Sequence, residues 1–154
     1  MRRRGWFRRV LLLVLIALMG FGVYVRVLPT SAMLWHEPSY PSGSGHIPGP
    51  NSHTWRGAQT DDGRVEMAKI DAVIQRTART EPIAGSVDEG MITYITRSRW
   101  WQFPDFTTLE RDVALIEGGP RVISIYSRAQ FGTSDLGVNQ RRLREWLRQM
   151  GLGG

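Results

Sequence analysis

Three arginines, a polar strand-to-helix junction and a knot of aromatics carry most of the chemistry this sequence offers. Arg97 and Arg99 stand two apart, on one face of any strand that contains them, and Arg128 closes a later strand-like run. If those strands are neighbours, the guanidinium groups would converge beside a helix N-terminus. Its free N–H groups favour negative charge, so the site would suit a phosphate or carboxylate such as a lipid headgroup. The junction runs from Ser127 to Asn139: Gly132 and Gly137 permit positive φ, and Ser134, Asp135 and Asn139 supply oxygen acceptors. The same three residues would equally make a plain capped turn. Asp105, Glu110, Asp112 and Asp135 are close enough in sequence to pair with the arginines and leave no pocket. Trp100, Trp101, Phe103 and Phe106 crowd into seven residues. Such density reads either as a packed core edge or as a platform that dips into a membrane interface, where Arg97 and Arg99 would favour anionic lipid.

Catalytic signatures are sparse. The chain has no cysteine, which excludes disulfides, thiolate nucleophiles and cysteine-bound zinc or iron-sulfur centres. No histidine follows His53, and neither a G-x-S-x-G elbow nor a phosphate-binding loop motif occurs. His36, His46 and His53 are spaced by 10 and 7 in a Gly/Pro-rich stretch that would not hold metal ligands in register, so they read as solvated loop residues. No metal and no cofactor is expected. A carboxylate pair, Asp105 with Asp135, is the one candidate for acid-base work, on an envelope glycan or lipid. That reading requires both carboxylates free in a cleft; bonded to arginine or capping a helix, they could not serve.

The elements that must position these residues begin with a membrane segment. Six arginines and no acids fall in the first 26 positions; from residue 27 onward basic and acidic residues balance at 14 each. The net charge of +6 therefore belongs to the N-terminus, and a nucleic-acid partner is not expected. After the basic tail, residues 1–9, an apolar helix over residues 10–28 would be roughly 28 Å long, enough for the hydrocarbon core of a bilayer. A cleaved signal peptide shares these features, but the run is long for one and no A-x-A-like site follows. Five arginines before the helix and one after it place the N-terminus inside. In a bacterium this puts the protein in the inner membrane, with its C-terminal domain periplasmic.

Residues 29–59, with Pro38, Pro41, Pro48 and Pro50 among several Ser and Gly, read as a tether, or a strap laid over the domain, without regular secondary structure. The domain proper is placed at 60–151. Met67, Ile70, Val73, Ile74 and Thr77 give helical spacing over 65–80. Strands are expected at 91–99, 106–116 and 121–128, with a shorter one near 83–87. Glu117-Gly118-Gly119-Pro120 would turn the second strand into the third as a hairpin. Leu143, Trp146, Leu147 and Met150 stripe a closing helix over 138–150, ended by Gly151. The sum is an α+β domain, a three- to four-stranded antiparallel sheet flanked by two helices.

The run Ser134-Asp135-Leu136-Gly137-Val138-Asn139, preceded by Tyr126-Ser127-Arg128 and followed by a basic amphipathic helix, resembles the C-terminal signature of the domain of unknown function 1499 family. Trp101-Gln102-Phe103-Pro104-Asp105 is similar to that family's aromatic-Pro-Asp segment, and Pro48-Gly49-Pro50-Asn51 to the domain entry of its membrane-anchored members. The resemblance covers roughly residues 47–151. It implies a domain often tethered to bacterial membranes and carries over no activity. The expected function is non-catalytic: binding or assembly, with an envelope protein or anionic lipid as partner besides the bilayer around residues 10–28. Arg97, Arg99, Arg128, Ser134, Asp135 and Asn139 would form the binding site, and Trp100, Trp101 and Phe103 the membrane or partner contact. The hydrolase using Asp105 and Asp135 is the alternative. As an assembly subunit the chain would also use its transmembrane helix, but Gly20 and Gly22 are two apart and make no G-x-x-x-G face.

Overall fold

The computed structural model describes residues 2–28, 30–38, 42–59, 62–112 and 121–152. Helix α1 spans Arg2–Val27, and its stretch Gly5–Val27, with mean hydropathy 2.5, is long and apolar enough to cross a membrane by length and composition. A single turn of helix, α2 (Ala32–Trp35), follows. Then come β1 (Gly45–Pro48), β2 (Ser52–Gln59), α3 (Arg64–Gln75), β3 (Thr80–Ser86), β4 (Met91–Arg97), β5 (Pro104–Asp112), β6 (Arg121–Ala129) and α4 (Val138–Gln149). The strands form one antiparallel sheet in the order β1-β2-β6-β5-β4-β3.

The described residues form six strands, where three to four were expected; this is a correction, and the extra ones lie in the stretch read as a tether or strap. The prolines there do not bar a sheet, because Pro48 ends a four-residue edge strand, where no neighbour needs its missing N–H. Gly49 donates its N–H to the Ser52 carbonyl at 2.9 Å and closes the β1–β2 turn. The period-2 signal in β2 is quiet: His53 and Trp55 face one way, Thr54 and Arg56 the other, and only Trp55 is strongly apolar. The β5–β6 pairing is antiparallel as expected, while the Glu117–Pro120 turn lies outside the described residues. The first domain helix ends at Gln75, short of residue 80, because Arg79 turns into the left-handed region (φ 60°) and β3 starts at Thr80. Strand β4 stops at Arg97, two residues early, where the aromatic turn begins.

The core lies between one sheet face and α3 and α4. Trp55, Ile92, Tyr94, Leu109, Ile123 and Ile125 meet Met67, Ile70 and Ile74 of α3 and Leu143, Trp146 and Leu147 of α4. Polar tips at the core's edge are paired. Tyr94 donates to Asp71 Oδ1 (2.6 Å) and the Trp146 indole donates to Thr77 Oγ1 (2.7 Å). On the opposite face, Trp35 of α2 stacks on Phe106 with centroids 4.0 Å apart and the rings 6° from parallel. Residues 32–36, between α1 and the domain, are thus laid over the sheet as a strap.

Candidate functional site

Topology decides first which expected site residues meet. Strand β5 lies between β4 and β6, so Arg97 pairs across from Pro104 and Arg128 from Phe106, two rows and two strands apart. Parity separates them further from α4. Ile125 points into the core, so Arg128, three residues on, points to the face without α3 and α4. There Arg128 lies between the Trp35 ring (5.1 Å) and the Tyr126 ring (4.6 Å) and donates from Nη2 to the Trp35 carbonyl at 2.6 Å. It holds the strap.

The anion site at the α4 N-terminus is likewise filled from within. Gly137, at φ 72°, starts the helix, and Asp135 caps it: Oδ1 accepts the Gly137 N–H (2.9 Å) and Oδ2 the Asn139 N–H (2.8 Å). Ser134 Oγ accepts the Leu136 N–H at 3.2 Å. Asn139 is fully buried, and its Oδ1 accepts from Arg142 Nη1 (2.9 Å) while Arg142 Nη2 donates to Asp105 Oδ2 (2.8 Å). Burial pushes the Asp105 carboxyl up from its ordinary value, with the Arg142 charge pulling the other way. Asp105 bonded to arginine and Asp135 capping a helix meet the condition set above against a carboxylate-pair hydrolase.

The histidines are not loop residues open to solvent, which corrects the sequence reading. His36 Nδ1 lies 2.9 Å from Thr93 Oγ1 beneath the strap. His46 Nδ1 and His53 Nε2 are 3.0 Å apart, and His53 is buried. His36 is on the opposite face of the sheet from that pair, and among the described residues no group of three or more His, Cys, Asp or Glu is placed to hold a metal. His53 stands across from Ser127, but the Ser127 hydroxyl pairs with Thr107 Oγ1 at 2.7 Å. The signal that could have found the histidine pair is the parity of His53 and Trp55 in β2.

The His46–His53 contact carries a pH dependence. Burial lowers both pKa values below the ordinary 6.5, helped for His53 by His46 and Arg144 against an opposing Asp135, and for His46 by Arg144. The unfolded chain therefore binds protons first as pH falls below 6.5, and stability is lost through that window. Thermal unfolding of the detergent-solubilised protein should show Tm falling between pH 7.5 and 5.5, and His53→Gln should flatten the slope.

The aromatic knot occupies the turn between β4 and β5. Ser98 Oγ accepts the Phe103 N–H (2.9 Å), Arg97 Nη1 donates to the Gln102 carbonyl (3.2 Å), and Gln102 takes a left-handed φ of 61°. These bonds cross-link the turn, and its two tryptophan rings are exposed. Trp100 is 76% exposed, with Arg99 over its ring at 5.0 Å. Trp101 and Phe103 face Phe21 of α1 at centroid distances of 6.3 and 6.0 Å. Arg26 Nη2 lies 3.5 Å from the Trp100 carbonyl oxygen. Phe106, the fourth member, is in the sheet, fully buried under Trp35.

The family model for a protein of unknown function (DUF1499) matches residues 38–150 of the 154. The chain belongs to this family. The match takes in β1 and β2 as well as the Ser134–Asn139 run, so the DUF1499 domain starts before residue 60 and includes most of the stretch read as a tether. No curated protein matches the chain. In the DUF1499 domain Arg128, Arg142, Asp105 and Asp135 are engaged within the fold, and an aromatic turn is exposed beside an apolar helix.

Proposed function

We propose that the chain is a single-pass protein of a bacterial inner membrane, N-terminus cytoplasmic and DUF1499 domain periplasmic, that binds the outer lipid surface without catalysing a reaction. The observation that carries this is the packing of Trp101 and Phe103 on Phe21. Phe21 is six residues before the end of α1, so at about 1.5 Å per residue it lies about 9 Å inside the helix end, within the outer leaflet of a bilayer crossed by α1. The turn of residues 98–103 then sits at the depth where interfacial tryptophans are most at home. Arg26, Arg97 and Arg99 at the same end favour anionic headgroups. The five arginines before the apolar run support the orientation. Contacts of Phe21 and Arg26 with the domain speak for an anchor that is kept, since a cleaved leader would take them away.

Quenching by chain-brominated lipid tests the reading. Of the six tryptophans, Trp6 is near the far end of α1 and Trp35, Trp55 and Trp146 lie in the folded domain. In vesicles of phosphatidylcholine and phosphatidylglycerol, the full-length protein should lose tryptophan emission to the bromines, and Trp100→Phe/Trp101→Phe should remove most of the quenched component beyond that of Trp6. Equal quenching in parent and variant would place the turn away from the membrane and end the proposal.

A further inference from the structure

We propose that the pocket between the 98–103 turn and the 131–138 segment holds the acyl chain of a bilayer phospholipid, so that the domain grips a lipid as well as resting on the surface. This deepens the reading above and rests on it.

The pocket has a volume of about 390 Å³, in the lower part of the range of about 300–1,000 Å³ found for small-molecule sites. Phe103, Pro104, Ala129, Phe131, Leu136 and Val138 give it an apolar wall. The polar groups at its margin are engaged inside the chain. Ser98 Oγ accepts from the Phe103 N–H, Ser134 Oγ from the Leu136 N–H, Asp105 is bound by Arg142, and Asp135 caps α4. A hydrogen-bonding ligand would give up its hydration there for little return, whereas a hydrocarbon chain has none to give up. Leu136 is 82% and Val138 40% exposed, an expense of apolar surface that an apolar occupant would reduce.

Continuity with the membrane identifies the source of the chain. The Phe103 ring is shared: it lines the pocket, and its other contacts are Phe21 of α1 at 6.0 Å and Trp101 at 6.4 Å. Phe131, also in the wall, lies 5.6 Å from Phe103. Beside the same turn a second hollow, lined by Leu15, Leu18, Met19, Val23, Trp100 and Trp101, runs along the membrane helix. Apolar surface therefore passes from the lipid-facing side of α1, around the aromatic turn, to the pocket. A chain from an adjacent lipid reaches the pocket without crossing water, and Arg26 and Arg99 at that turn suit its phosphate.

The chain contains no cysteine, so Leu136→Cys gives one labelling site for a bimane fluorophore in the full-length protein. Reconstituted in phosphatidylcholine–phosphatidylglycerol vesicles with brominated acyl chains, the Leu136 label should be quenched. Ala129→Leu and, separately, Val138→Phe, which fill the pocket, should abolish that quenching while that of Trp100 and Trp101 persists. Two fillers are used so that misfolding of one, seen by circular dichroism, leaves the other to decide. A label left unquenched beside quenched tryptophans overturns the pocket and spares the surface reading. So does quenching that survives in a folded filler variant, because the label then senses only a nearby bilayer. If neither the label nor the tryptophans are quenched, both readings fall.

Discussion

Arg142→Ala should destabilise the domain by about 3 kcal/mol, enough to lower Tm by roughly 12 °C or more in a domain of this size. Arg142 is bonded to Asp105 at 2.8 Å and to Asn139 Oδ1 at 2.9 Å, and the Arg142 and Asp105 side chains are each only 14% exposed. Truncation strands a carboxylate that burial already pushes toward its neutral form, and takes the partner from a fully buried amide whose Nδ2 has none among the described residues. The residual exposure keeps the figure at the low end for a broken buried pair. The sign of the pH effect follows. The Asp105 carboxyl is raised in the folded state, so its ionisation works against folding as pH rises above its ordinary range, and the variant should suffer more at pH 7 than near pH 4. Chemical denaturation at the two pH values checks this, and Asp105→Ala added to Arg142→Ala should recover part of the loss by removing the stranded charge. An Arg142→Ala protein as stable as its parent at pH 7 would show that water reaches Asp105.

Arg128→Ala should cost about 2–5 kcal/mol, and the loss should fall on the strap more than on the helices. The guanidinium contributes a charged hydrogen bond to the Trp35 carbonyl, worth about 1.5–3 kcal/mol, and contacts with two aromatic faces worth about 0.5–2 kcal/mol. Without it, Trp35 keeps its stacking on Phe106 but loses the clamp at its backbone. Amide exchange across residues 31–36 should quicken markedly, with that of α4 little changed, since α4 lies on the other face. Arg128→Lys should fall between, retaining charge but not the flat stacking surface. If the strap exchanged no faster in Arg128→Ala, Trp35 and the His36–Thr93 contact would suffice to hold it. The same variant separates the two roles considered for Arg128: a clamp changes the strap, while a headgroup ligand would change lipid binding with the strap intact.

Much of the fold was legible because it rests on local periodicity. The apolar run marks α1, the stripes Met67–Ile70–Ile74 and Leu143–Trp146–Leu147 mark α3 and α4, and the alternation around Ile123 and Ile125 marks β6. These patterns depend on neighbours within a few residues, and the structure places α4 within one residue of its expected ends. That Asp135 or Asn139 would cap the helix was legible for the same reason, since a cap reaches only two to four residues along the chain; the structure uses Asp135. Strands β1 and β2 were hidden because β2 contains one strongly apolar residue, and its partner β6 lies more than sixty residues away, Ser52 opposite Arg128.

By itself the sequence determined an apolar N-terminal helix with five of its six arginines at one end, an α+β domain of the DUF1499 family and the absence of thiol chemistry. Tertiary structure alone decided what the arginines do. Inserting β5 between β4 and β6 parts Arg97 from Arg128, and strand parity turns Arg128 to the face away from α4, where it meets Trp35 across 93 residues of chain. It likewise brought Phe21 to Trp101. A pattern of side chains records which face of its own element each residue takes; which elements become neighbours is set by burial of the whole core, and no local spacing carries that information.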